Sequence, residues 1–149
     1  MIDAVIQVLA ALVGTLAFGI LFNIRGKKLL VGAVGGMLAW ALFLLLGPIC
    51  ASETARYFIV SVAISIYAEI FARVMKTPTT TFCIVALISL IPGSGLYYSI
   101  AYALDGNTTL FLEKAVHTLA LAAALSLGIV TVTSITKHLT AFLARRRNK

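Results

Sequence analysis

Pro92, Gly93, Ser94 and Gly95 interrupt a long uncharged run from Thr79 to Leu104, and Tyr97 and Tyr98 follow directly. The chemistry such a segment can do is binding. Pro92 offers no backbone donor and clashes with the preceding turn of a helix. Gly93 and Gly95 lower helix propensity further. A helix broken here leaves backbone N–H and carbonyl groups unpaired, with the hydroxyls of Ser94, Tyr97 and Tyr98 beside them. Unpaired polar groups in hydrocarbon cost several kcal/mol each, so they must face protein or a wet cavity. Broken helices at mid-membrane hold ions or solutes in many secondary transporters. The alternative is a structural kink satisfied by neighbouring helices.

Ionisable groups inside the apolar runs are few. Glu69 stands one turn before Arg73, at i,i+4. A carboxylate in lipid must face a bundle interior, where it can carry a coupling proton or cation. The alternative is a local ion pair at the interface. Glu113 and His117 repeat the i,i+4 spacing near the start of the last run, close to the headgroups. A lone His with no second His, Cys or carboxylate cluster is a poor metal site. Lys76-Thr-Pro-Thr-Thr-Thr81 opens a run, with Thr77 as N-cap and Pro78 in the first turn. Free N–H groups at such a start attract anions; ordinary capping is the plainer reading. No GxSxG, phosphate loop, HExxH or pair of intramembrane aspartates appears, so neither an enzyme nor a cofactor is expected.

These residues sit on elements that composition alone identifies. Of 149 residues, 61% are hydrophobic and 11% charged, and mean hydropathy is +1.06. A soluble domain carries roughly a quarter of its residues as charge. The chain therefore reads as an all-α integral membrane protein, one membrane domain over 1–149. Five apolar runs are long enough to cross ~30 Å of hydrocarbon: about 4–22, 29–47, 55–72, 79–104 and 111–139, the fourth broken at Pro92–Gly95. A β-barrel would show short alternating segments instead. The first run is not a signal peptide, because its basic residues follow the apolar stretch.

The loops give a direction. Arg25, Lys27 and Lys28 follow the first run, Arg73 and Lys76 the third, and a basic tail over 140–149 the fifth. The alternate loops, Pro48–Thr54 and Leu104–Leu110, carry no cation. The positive-inside rule then puts the N-terminus outside and the C-terminus inside. The net charge of +7 thus marks topology and attraction to anionic headgroups, and no nucleic-acid partner is expected. Cys50 lies outside and Cys83 within the membrane, so they do not pair. Small residues recur at helical spacing: Gly32, Gly35 and Gly36 in the second run, Ala11, Thr15 and Gly19 in the first. Such spacing lets helices approach closely in lipid, within the chain or with a partner.

Three stretches together resemble the threonine/serine exporter family: Phe22-Asn-Ile-Arg-Gly-Lys-Lys-Leu29, Phe71-Ala-Arg-Val-Met-Lys-Thr-Pro-Thr-Thr-Thr-Phe82 and Leu90-Ile-Pro-Gly-Ser-Gly-Leu-Tyr97. The likeness spans nearly the whole chain and is to the small, C-terminal-type half of a split exporter. It implies a larger homologous subunit, an inverted repeat formed by the two halves, and a multi-pass place in the cell (inner) membrane. It implies export of threonine, serine or a related small carboxylate such as succinate, driven by the proton gradient. On this reading Pro92, Gly93, Ser94, Gly95, Tyr97 and Tyr98 line the site and Glu69 is the coupling group. Asn23, Arg25, Thr79, Thr80 and Thr81 form the inner mouth, and Gly19, Gly32, Gly35 and Gly36 pack helices. The competing reading is a membrane scaffold or a homo-oligomeric channel built on the glycine seams.

Overall fold

The computed structural model describes residues 2–147, with side chains over 2–140. The basic tail beyond them (Arg145, Arg146, Arg147 and Lys149) lies outside the described side chains. Among the described residues the chain is all helix and turn. The helices are α1 (Ile2–Leu21), α2 (Lys27–Leu46), α3 (Glu53–Val74), α4 (Thr79–Leu87), α5 (Gly93–Leu104) and α6 (Thr108–Arg147), with a 3-10 turn at Ile88–Leu90 between α4 and α5. α1, α2, α3 and α6 are each long and apolar enough to cross a membrane. α4 and α5 together make a fifth candidate span, bent by 56°. The observed helices start and stop within a few residues of the apolar runs, except that α6 is 40 residues long. At 1.5 Å per residue it measures about 60 Å, twice the hydrocarbon thickness.

Two local expectations are corrected. The break lies at Ile88–Pro92, not at Pro92–Gly95. Ile91 is extended (φ −60°, ψ 124°), the conformation forced on a residue before proline. Pro92 caps α5, where its fixed φ and missing N–H are harmless. Gly93, Ser94 and Gly95 therefore form the first turn of α5. Likewise Pro78, not Thr77, is the N-cap of α4. The Thr77 hydroxyl instead donates to the Met75 carbonyl at 3.0 Å.

The helix ends explain two unusual backbones. Asn23 has φ 58° and Lys76 has φ 49°. Ile24 N–H bonds Gly19 O at 2.9 Å and Asn23 N–H bonds Ile20 O at 2.8 Å, the paired bonds of a Schellman stop. Asn tolerates the left-handed conformation that this stop needs better than most residues. α3 ends the same way at Lys76, with Thr77 N–H on Ala72 O at 2.9 Å.

The bundle is held by close approach of small residues, and the seams lie within the chain. A side chain at Gly36 would meet Thr15 of α1. One at Gly35 would come 2.9 Å from the Cβ of Ala86 in α4, and one at Gly32 would come 3.3 Å from Val85. Gly19 faces Leu29. Two further seams went unread in the sequence: Gly128 of α6 against Ser61 of α3, and Gly95 of α5 against Thr118 of α6. The core they enclose contains Val60, Ile64, Phe82, Val85 and Leu90, all essentially inaccessible. α3 lies against α6, α1 against α2, and α5 against α6, while α4 is wedged between α2 and α3. Cys50 and Cys83 are both free.

Candidate functional site

The broken span brings three groups of candidate residues into view. The first is the start of α5. No side chain caps it. Gly93 N–H turns back to Ile91 O at 2.7 Å, and Leu96 N–H opens the helical ladder on Pro92 O at 3.2 Å. The amides of Ser94 and Gly95 belong to the first turn of α5, where a helix offers its N–H groups no intrahelical carbonyl. Gly93 and Ser94 are exposed and Pro92 is buried. Tyr97 is 68% and Tyr98 52% exposed. Their rings meet edge to face at 5.4 Å, and Tyr98 stacks toward Tyr102 at 6.5 Å. Gly95 is different. It is turned toward Thr118 and serves the α5–α6 contact. Below it the Ser99 hydroxyl donates to Gly95 O at 2.7 Å. Gly93, Ser94, Tyr97 and Tyr98 are thus exposed together with the apolar Ile91, Leu96 and Ile100.

The second group gathers at the end where the basic loops lie. Phe22 and Ile24 of the first loop and Thr80, Thr81, Ile84 and Val85 of α4 line a cavity of about 250 Å³. Thr80 and Thr81 thus meet the first loop. Asn23 and Arg25 are tied to each other instead, Arg25 Nε donating to Asn23 Oδ1 at 3.0 Å. Thr79 begins α4 and is half-buried.

The third group is two contacts made by carboxylates. Glu69 Oε2 lies 3.3 Å from Arg73 Nη2 along α3. The Glu69 side chain is 14% exposed and that of Arg73 57%. The carboxylate is thus sheltered while its partner reaches outward on its long side chain. At the opposite end His117 reaches Glu53 of α3, with Nε2 at 3.4 Å from Oε2, and not its sequence neighbour Glu113. No group of three or more metal-ligating side chains gathers among the described residues.

Sequence reasoning passed over Ser89 in the 3-10 turn. Its hydroxyl lies 3.2 Å from Gly36 O and 3.4 Å from Ala86 O, tying the break to α2. The signal was a polar residue in the middle of an uncharged apolar run. Tyr67 was missed as well. Its hydroxyl donates to Val31 O at 2.8 Å and joins α3 to α2.

A family model described as "Threonine/Serine exporter, ThrE" matches residues 7–135. Comparisons with curated proteins and with solved structures give no match.

Proposed function

The chain belongs to the threonine/serine exporter family, and from that premise we propose that it is one subunit of a secondary transporter that exports threonine, serine or a related small carboxylate. It is a multi-pass membrane protein of an exporter-type family. In our reading its N-terminus is outside and its C-terminus inside, the proton gradient drives transport, and a larger homologous subunit supplies the other half of the pathway.

One observation carries this reading. A span broken by 56° leaves Gly93, Ser94, Tyr97 and Tyr98 exposed at the start of a helix that no side chain caps. Hydrocarbon cannot satisfy the N–H groups of such a helix start. A second subunit enclosing a wet pathway would. The glycine seams point the same way. Gly19, Gly32, Gly35 and Gly36 are taken up inside the chain, which weighs against a homo-oligomeric channel built on them. Thr79, Thr80, Thr81, Asn23 and Arg25 would form the inner mouth, and Glu69 would be the coupling carboxylate.

The test is efflux of labelled threonine, serine and succinate from cells that express the chain with and without a larger homologue of the same family. Efflux of at least one solute is expected when both chains are present, and no efflux of any of them would refute the proposal. Glu69→Gln is expected to abolish efflux while leaving insertion intact. Retained efflux would remove Glu69 from the coupling role.

A further inference from the structure

His117 stands where α3, α5 and α6 meet. α3 and α6 run the same way, because Glu53 meets His117 near their starts and Ser61 meets Gly128 further along. Thr118, the residue after His117, is buried, and a Cβ at Gly95 of α5 would collide with its hydroxyl. The start of α5 is therefore level with the first turn of α3. α5 rests on α6, so α6 sets where Gly93, Ser94, Tyr97 and Tyr98 stand relative to the rest of the bundle. Among the described residues one polar side-chain contact joins α6 to α3, that of His117 Nε2 with Glu53 Oε2 at 3.4 Å.

This contact changes character with protonation. Histidine is the side chain whose charge ordinarily changes between pH 5 and 8. A neutral ring offers a carboxylate one N–H at most. An imidazolium adds a full charge, and charge-assisted bonds are roughly twice as strong as neutral ones. The surroundings leave Glu53 as the main influence. On α6, Glu113 and Lys114 stand one turn before His117 and are opposite in charge. On α3, Arg56 is turned toward α2, its guanidinium carbon 4.8 Å from the centre of the Phe43 ring, and Tyr57 packs edge-on against the same ring. α5 brings no charged side chain, only Tyr97, Tyr98 and Tyr102. His117 and Glu53 are both about half exposed, so water at that end of the bundle reaches the pair.

We propose that His117 is a positioning residue for transport: protonated, it draws α6 onto the first turn of α3 and fixes the start of α5, and neutral, it lets them part. The inference rests on the exporter reading above and adds a pH response to it. The contact gains as pH falls through the histidine range, and it persists because carboxylates stay ionised above about pH 5. The test uses vesicles that hold the chain and a larger homologue of the same family, at the same pH inside and out, so that no proton gradient contributes. Exchange of labelled threonine, serine or succinate is expected to run about two- to fivefold faster at pH 6 than at pH 8, the scale of an exposed ion pair. His117→Lys, charged at both pH values, should give the fast rate at both. His117→Gln and Glu53→Gln should give the slow rate at both. A pH step that is absent from the parent chain, or that survives in either neutral variant, would overturn the proposal; a merely structural role would lower both rates and keep the step. Thermal melting of the full chain in nanodiscs decides where no solute exchanges, an outcome that removes the exporter reading. On going from pH 8 to pH 6 the parent should gain about 1–2 °C over His117→Gln. Without exchange, that gain keeps the His117 contact, and its absence removes the contact as well.

Discussion

α4 and α5 are two halves of one span, and they live in different surroundings. In α4, Phe82, Cys83, Val85, Ala86 and Leu87 are buried between α2 and α3. In α5 only Ser99 is buried, and the helix rests on α6. Gly35 and Gly32 press on α4 so closely that a methyl group would not fit easily, while Gly93 at the start of α5 has open space around it. The proline-capped break lets one half be anchored like a core element and the other present polar groups outward. α5 turns Leu96 and Ile100 outward beside Ser94, Tyr97 and Tyr98, and in lipid the polar groups among them need a partner other than hydrocarbon.

The strongest contrast is between two glycines. Gly36→Leu would drive a side chain into Thr15 and is expected to cost about 3 kcal/mol or more, enough to prevent recovery of folded protein. Gly93→Leu, at the open end of α5, is expected to leave the melting temperature in detergent unchanged and to abolish efflux. Equal thermal effects at the two positions would erase the distinction. Next come two aromatic rings. Phe82→Ala removes a fully buried ring and should lower stability by about 3 kcal/mol, the low end for such a cavity. Tyr97→Ala should cost less than about 0.5 kcal/mol, as exposed positions do, yet reduce efflux. A large loss of stability from Tyr97→Ala would mean that its face is structural. The smallest effect is expected at the far end. Glu53→Gln removes the charge that faces His117, and both side chains are about half exposed. The expected cost is about 0.5 kcal/mol, reduced further by salt. A larger, salt-independent cost in a melting series would show that this pair locks α3 to α6.

The spans were legible because lipid demands long, continuous apolar runs, and little else in a sequence looks like that. The break was legible as to span but not as to residue. Pro92 acts on the turn before it and on Ile91, so the helix fails upstream of the proline and the glycines fall downstream. Asn23 shows another limit. The resemblance implied an inner mouth there, and nothing local announced that its backbone makes the left-handed stop of α1 or that its side chain holds Arg25. Contacts across distant segments were invisible. Nothing local in sequence joins His117 to Glu53 or Trp40 to Gln7, and the closeness of Gly128 to Ser61 depends on how α6 crosses α3. The small-residue spacing announced seams, but only the fold tells which helix fills each one.

Water at Ser94 decides between a lipid-facing kink and a transport surface. In a chain with Cys50 and Cys83 replaced by Ala, the Ser94→Cys variant is treated in native membranes, alongside the larger homologue, with a water-soluble maleimide. Rapid labelling that threonine or serine slows is the expected result. A thiol that resists the water-soluble reagent but reacts with a lipid-soluble one would contradict the account.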